Sequence, residues 1–234
     1  MMKTVVNNLP YIPERPAKPR IKGLTMVMDK GLSLREAEDF VSVCGDYTDY
    51  VKLGFGTAII TPDFDKKIRI YKEAGLRPYF GGTLFEIFLI RGMFDEFVGL
   101  IDKYEVDLVE ISDGSYDFDH SKKLEYISLL AKRGTVISEV GSKKKTVVYS
   151  PDEWVRQMQL ELEAGSSKVI AEAREAGTIG IYNDDGSVNI EIIKAIATNV
   201  SIDNVIWEAP IKSQQVWLIK QFGANVNLGN IPPN

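Results

Sequence analysis

Three consecutive segments decide the fold: DLVEISDGS (107–115), DFDHSKKLEYISLLAKRG (117–134) and TVISEVGSKKK (135–145). The first and third have the short apolar runs of buried strands, whereas the second has the apolar spacing of a helix. Both strands end near a glycine turn and carry carboxylates there, namely Glu110, Asp113 and Glu139. An apolar strand core does not need these charges. Their position therefore indicates a chemical role at the strand ends.

The same strand, turn and helix pattern recurs along the chain. Ser33 is the predicted N-cap of the first helix, because a serine oxygen can accept a hydrogen bond from a free N–H group at a helix start. Later helices are predicted at about residues 62–74, 84–104, 119–132, 151–164, 189–198 and 212–221. The pattern comprises eight strands with seven helices between them. It predicts an α/β fold with a parallel sheet closed as a TIM-type (β/α)8 barrel, and a doubly wound open sheet is the alternative.

The two ends of the sequence depart from this pattern. Residues 1–20 hold four prolines and show no amphipathic period, which predicts an extended N-terminal arm. Residues 21–234 are predicted to form a single barrel domain. After Leu228 there are two prolines and no amphipathic helix. The barrel is therefore expected to lack its final helix, and its first and last strands would need another cover, such as the arm or a neighbouring subunit.

Composition limits the classes of function. The chain has 234 residues and a net charge of −5, which argues against a broad nucleic-acid or anionic-membrane footprint. It shows no apolar run that would span a bilayer and no signal-peptide pattern. Cys44 is its only cysteine, so we expect no internal disulfide and a cytoplasmic location. His120 is its only histidine, which removes Ser-His-Asp catalysis and favours a surface or capping role for this residue.

Carboxylates gather near the ends of four consecutive strands. The phrases VEIS, SEVG, AEAR and WEAP carry Glu110, Glu139, Glu172 and Glu208. Barrel enzymes place their catalytic groups at strand ends, so we expect one acidic mouth. Converging carboxylates repel each other unless a cation neutralises them, and oxygen-ligated Mg²⁺ suits this purpose. The structural alternative is that some of them form ion pairs inside the barrel with basic side chains: Lys22, Lys52, Arg174 or Lys212.

Basic residues follow the same strand ends. Lys143 comes after the fifth strand, Arg174 after the sixth and Lys212 after the seventh. All three could face one anion from the same rim, and phosphate is the favoured class. The alternative for the lysine run at 143–145 is a solvated loop. Without a suitable histidine, proton transfer is left to lysine, carboxylate or metal-bound water.

Several phrases resemble the phosphosulfolactate synthase family, in the same order and at similar spacing from about Lys22 to Ile231: GLTMVMDKG, DFVSVCGDYTDYVKLGFGT, GGTLFE, VEISDGS, SEVGSK, EAREAG, IWEAPIKSQQ and VNLGN. The resemblance implies a (β/α)8-barrel carbon–sulfur lyase that adds sulfite to phosphoenolpyruvate with Mg²⁺. The product is (2R)-phospho-3-sulfolactate, on the route to coenzyme M in archaea or to sulfolactate in some bacteria. The resemblance further implies a homo-oligomer, such as a trimer.

The resemblance also implies roles for single residues. Lys143 corresponds to the family's general-acid lysine, with Ser142 in place of the first lysine of that loop. The residues implied in anion binding are Lys22, Lys52, Arg174 and Lys212. The carboxylates implied as metal ligands are Asp29, Glu110, Glu139, Glu172 and Glu208.

The sequence departs from the family pattern at its end. The family continues past the NLGN phrase into a helix that this sequence lacks, and a ligand-binding arginine would be lost with it.

Two alternatives to this activity stay open in the sequence. Plant heat-stress-associated proteins resemble the same family without an established synthase role, so a non-enzymatic homologue is one alternative. Another phosphate-substrate barrel lyase or aldolase is the second.

Overall fold

The computed structural model describes residues 10–116, 118–142 and 149–233. Within them the strands are β1 Thr25–Asp29, β2 Tyr50–Leu53, β3 Arg77–Phe80, β4 Leu108–Ile111, β5 Thr135–Val140, β6 Lys168–Ala171, β7 Val205–Glu208 and β8 Leu228–Ile231. The α-helices are α1 Leu34–Cys44, α2 Phe64–Glu73, α3 Gly82–Leu89, α4 Phe94–Lys103, α5 His120–Ala131, α6 Pro151–Glu163, α7 Ile190–Asn199 and α8 Lys212–Phe222.

All eight of these strands belong to one parallel sheet. Its hydrogen-bonded order is β3-β2-β1-β8-β7-β6-β5-β4, and helices connect the successive strands. The carboxyl ends of parallel strands lie at the same end of a closed sheet, where the βα loops begin. The structure therefore confirms the predicted (β/α)8 barrel.

The barrel closes between β3 and β4, the two ends of that strand order. Glu110 on β4 joins this seam, because its Oε2 accepts a hydrogen bond from Tyr79 Oη at 2.9 Å and its Oε1 accepts one from Gly82 N–H at 2.6 Å. A Cβ atom at Gly82 would lie 2.1 Å from Ser112 Oγ and 2.8 Å from Glu110 Oε1. This close approach requires glycine at the start of α3.

The helices follow the predicted pattern with one difference. The single helix predicted at about 84–104 is two helices, α3 and α4. Gly92 between them has a φ of 68°, and a left-handed residue of this kind ends a helix. The predicted cap at Ser33 is confirmed, since Ser33 Oγ accepts a hydrogen bond from Glu36 N–H at 3.3 Å. In the described residues, which end at Pro233, no helix follows β8.

Residues 10–22 contain no helix or strand and contact the amino-terminal end of the barrel. Arg15 donates to the Gly23 carbonyl at 2.6 Å, and Arg20 is paired with Asp49 at 2.8 Å. Gly23 precedes β1 and Asp49 precedes β2. Charged side chains thus bind this segment to the amino-terminal end of the strands.

The boundary between an arm at 1–20 and a barrel domain at 21–234 stays a prediction.

The apolar core and the charged interior occupy different places. Apolar residues from the strands and helices pack in two buried clusters, one of which includes Trp154 and Trp207. Among the side chains that are at most 5 % exposed are Lys52, Glu110, Glu139 and Glu208. Charged residues are almost never buried without partners. Their partners define the site.

Candidate active site

A cavity of about 350 Å³ opens at the carboxyl-terminal ends of the strands, where barrel enzymes carry their active sites. Its polar lining comes from the ends of β2 and β8 and from the ends or following loops of β5, β6 and β7. The residues on which the site depends are Lys52, Glu139, Glu172, Arg174, Glu208 and Asn230. The cavity brings together Lys52 and Asn230, which lie 178 positions apart in the chain.

Lys52 lies at the floor of this cavity and joins three strands. Its Nζ is 3.0 Å from Glu110 Oε1, 3.1 Å from Glu139 Oε2 and 3.3 Å from Glu208 Oε1. Burial alone would lower the pKa of Lys52, but the three carboxylates together raise it well above its ordinary value. Lys52 is therefore a fixed positive charge inside the barrel. These contacts match the structural alternative, in which strand-end glutamates form ion pairs with basic side chains inside the barrel.

Three glutamates at consecutive strand ends form a potential cation site. Glu139, Glu172 and Glu208 each place a carboxylate oxygen within 4.8 Å of the others, and all three side chains are buried. Glu208 is oriented by the Ala173 N–H group, which donates to its Oε2 at 2.8 Å. Buried carboxylates in such an arrangement suit a hard divalent cation such as Mg²⁺.

The charges in this region favour a cation. Among the described residues, the ammonium of Lys52 contacts the carboxylates of Glu110, Glu139 and Glu208, and Glu172 lies beside the last two of these. Arg174, half-buried at the rim of the cavity, is the other predicted basic residue that lines it. Burying a charge is costly unless another charge compensates it. The donor set of clustered, buried carboxylate oxygens thus fits a divalent ion.

Two predicted metal ligands lie outside the group of three glutamates. Both oxygens of Glu110 accept hydrogen bonds at the seam between β3 and β4. Asp29 is buried beside α2, where its Oδ2 accepts from Tyr71 Oη at 2.8 Å and forms an ion pair with Lys67. Its Oδ1 accepts from two backbone N–H groups of the loop after β1. The structure therefore gives both carboxylates structural partners.

The predicted basic residues are also divided. Lys52 and Arg174 line the cavity, whereas Lys22 and Lys212 do not. Lys22 is exposed and precedes β1, which places it at the amino-terminal end of the barrel, opposite the cavity. Lys212 is exposed at the first residue of α8. Lys143 lies outside the described residues, so its predicted role stays a prediction.

Another buried lysine, on α5, was not identified from the sequence. Lys123 on α5 is fully buried, and its Nζ is 2.8 Å from both Asp113 Oδ1 and Glu161 Oε1. It also donates to the backbone carbonyl of Glu139 at 2.6 Å. His120 Nε2 lies 3.1 Å from Glu161 Oε1, so the histidine belongs to this cluster rather than to a helix cap. Through the Glu139 carbonyl, this cluster contacts a residue that lines the cavity.

Two further cavity residues were missed in the sequence. Asn230 on β8 lines the cavity, and the only sign of it was its place in the phrase VNLGN. Phe55 also lines the cavity although half of its surface is exposed. It lies between Gly54 and Gly56 in the phrase GFGT, whose glycines are typical of a turn. Neither residue belongs to a pattern specific enough to identify it in advance.

The fold and the site together define a (β/α)8-barrel enzyme with an acidic active-site cavity. Among solved structures, the chain is similar to the YdjI aldolase from Escherichia coli K12, with a TM-score of 0.59 and 11% identity, covering 90% of this chain and 75% of that one. At this identity the similarity supports the barrel fold alone. No helix within the described part of the chain has the length and apolar character needed to cross a membrane.

Sequence relatives identify the family. The chain belongs to the (2R)-phospho-3-sulfolactate synthase (ComA) family, whose model matches residues 13–234. A phosphosulfolactate synthase of Methanocaldococcus jannaschii is 44% identical, covering 90% of this chain and 86% of the relative. One from Methanothermobacter thermautotrophicus is 38% identical, covering 94% of this chain and 88% of the relative. The family resemblance inferred from the sequence phrases is confirmed.

Proposed function

We propose that the protein is a phosphosulfolactate synthase that adds sulfite to phosphoenolpyruvate and forms (2R)-phospho-3-sulfolactate. The observation that carries this proposal is the group of buried carboxylates at the ends of β5, β6 and β7, inside the cavity of a chain of this family. Both substrates are anions, so the site needs cations to hold them together. The non-enzymatic and aldolase alternatives are not favoured by these observations.

The proposal includes Mg²⁺ as cofactor. Glu139, Glu172 and Glu208 would hold the ion, since their oxygens lie close together and are the hard ligands that it prefers. When bound, Mg²⁺ would supply positive charge against the negative charge that develops on the substrate carboxylate. Lys52 Nζ forms ion pairs with Glu139 Oε2 at 3.1 Å and Glu208 Oε1 at 3.3 Å, and these contacts fix the positions of two of the three carboxylates.

The remaining work falls to basic side chains of the chain. Arg174 at the rim would bind a phosphate or carboxylate through two parallel N–H groups. The sulfur lone pair of sulfite forms the new bond to C3 of phosphoenolpyruvate, and the π electrons between C2 and C3 end in a new C–H bond at C2. Lys143 supplies that proton as the general acid. The phosphate ester stays intact throughout.

Replacing Lys143 with alanine tests the proposed general acid. We expect the turnover number to fall about 10²- to 10⁴-fold, which is the usual contribution of a positioned acid. The matched control is Lys145→Ala, which removes an ammonium from the same lysine run and should keep most of the activity. Steady-state formation of product from phosphoenolpyruvate, sulfite and Mg²⁺ measures both variants. Equal activity of the two variants would contradict the assignment of Lys143.

The proposal also covers location and assembly. We place the enzyme in the cytoplasm as a homo-oligomer, such as a trimer, with an arm at residues 1–20 and one barrel domain at 21–234. The lone cysteine supports a reducing compartment. Exposed apolar side chains on α8, Val216 and Ile219, support a subunit contact. Light scattering of the purified protein would give the number of subunits.

A further inference from the structure

Asn230 is a buried polar residue of the cavity whose carboxamide oxygen has no partner in the described part of the chain. It belongs to β8 and is 6 % exposed. Its Oδ1 is buried and has no hydrogen-bond partner among the described residues. Buried polar atoms almost always have a partner, and inside a cavity that partner can be a bound ion, a ligand or a water molecule. Asn230 lines the same cavity as the three glutamates.

The backbone presents Asn230 in an unusual way. Its φ is 51°, in the left-handed region that residues other than glycine rarely adopt. Such conformations concentrate at functional sites, where the surrounding structure maintains them. The neighbouring Gly229 holds the strand against β7, because its carbonyl accepts a hydrogen bond from Ala209 N–H at 2.9 Å. The left-handed residue Asn230 therefore follows Gly229, whose backbone is hydrogen-bonded to the segment after β7.

Glu208 is the carboxylate next to this position. Glu208 and Gly229 are register partners in the pairing of β7 with β8. A Cβ atom built on Gly229 would lie 3.5 Å from Glu208 Cγ, so β8 runs directly beside the Glu208 side chain. Asn230 is the next residue of that strand. Asn230 therefore lines the cavity from the strand next to the one that carries Glu208.

We infer that Asn230 supplies a neutral oxygen ligand to the divalent cation held by Glu139, Glu172 and Glu208. The three carboxylates come from β5, β6 and β7, and Asn230 extends the set to β8, so oxygens from four consecutive strands surround the ion. An amide oxygen is a ligand that hard cations accept alongside carboxylates, and it adds coordination without further negative charge. This inference rests on the cation site in the proposed function.

Cation binding to the purified full-length protein tests the inference without any need for turnover. Mn²⁺ binding is followed by electron paramagnetic resonance and Mg²⁺ binding by calorimetry. Asn230→Gly removes the carboxamide and keeps a residue that accepts a positive φ. We expect it to weaken Mn²⁺ binding about 10- to 100-fold, the range typical of lost metal-site partners. Asn230→Asp keeps an oxygen at this position and should bind Mn²⁺ at least as tightly as the unaltered protein.

Two controls separate the possible failures. Asn225 also has a buried Oδ1 for which the described residues provide no partner, but it does not line the cavity, so Asn225→Ala should leave Mn²⁺ binding unchanged. Glu172→Gln should weaken Mn²⁺ binding if the glutamates hold the ion. Normal binding by Asn230→Gly together with weak binding by Glu172→Gln would overturn the role of Asn230 alone. Normal binding by Glu172→Gln would overturn the cation site itself. Weak binding by Asn230→Asp would also contradict an oxygen ligand here.

Discussion

Replacing Lys52 with methionine is expected to destabilise the protein and abolish its activity. Lys52 is buried, and its ammonium lies within 3.3 Å of three carboxylates from β4, β5 and β7. Removing one partner of a buried ion pair leaves an uncompensated charge and costs about 3–5 kcal/mol. Here three carboxylates lose the same partner. Urea unfolding in the absence of divalent cations should show that the free energy of unfolding falls by an amount in that range.

The matched control for Lys52→Met is Lys30→Met. Lys30 forms an ion pair with Glu175, which lines the same cavity, but the side chains of this pair are 41 % and 45 % exposed. Exposed ion pairs contribute at most about 1 kcal/mol. The two variants thus remove the same type of charge from a buried and an exposed position. If both had the same unfolding free energy, Lys52 would not hold the barrel interior together.

Lys123→Met is expected to have the second large effect. Burial would lower the pKa of Lys123, but Glu161 and Asp113 raise it above its ordinary value, so the buried ammonium stays charged. Its removal would take the ammonium away from Asp113 and leave Glu161 with His120 beside it, and breaking a buried ion pair in this way costs about 3–5 kcal/mol. It would also free the Glu139 carbonyl, which accepts from Lys123 Nζ at 2.6 Å. We therefore expect weaker Mg²⁺ binding through Glu139 as well as lower stability.

Its neighbour Lys122 provides the control. Lys122 pairs with Glu125, and the side chains of both residues are 59 % exposed. Lys122→Met should change stability by about 0.5 kcal/mol at most. Urea unfolding and calorimetric Mg²⁺ titration of the two variants give the comparison. Equal stability would contradict the importance of the buried cluster, and unchanged Mg²⁺ affinity in Lys123→Met would contradict its connection to Glu139.

The fold could be predicted because its signals are local. Each strand and helix of the barrel has its own apolar pattern, and their alternation implies a parallel sheet. The positions of Glu139, Glu172 and Glu208 at strand ends could be predicted for the same reason. The split of the helix at 84–104 could not, because Gly92 inside an apolar pattern is compatible with a continuous helix as well as with two.

The direction of a side chain was harder to predict than its position along the chain. Asp29 and Lys52 both lie near a strand end, but Lys52 faces the barrel interior and Asp29 contacts Lys67 and Tyr71 on α2. Side chains alternate across a strand, so a shift of one residue reverses the face. Lys22 shows a related problem. It belongs to the apolar run IKGLTMVM (21–28), but β1 begins only at Thr25, so the run does not mark where the strand starts.

Residues that act through tertiary contacts gave no signal in the sequence. Lys123 follows another lysine in the phrase HSKKLEY and has the appearance of a solvated helix residue. It is buried because α5 packs over the end of β5 and against α6, which only the assembled barrel shows. Asn230 likewise becomes notable only when β8 lies beside Glu208.

Phosphorus NMR of the purified protein with phosphoenolpyruvate, sulfite and Mg²⁺ tests the proposed activity most directly. We expect the phosphoenolpyruvate signal to be replaced by that of a phosphate ester of 3-sulfolactate, with no release of inorganic phosphate. The reaction should require sulfite and Mg²⁺, and it should fail in Glu172→Gln. Phosphoenolpyruvate that remains unchanged in the complete mixture, with folded protein present, would contradict the proposed function.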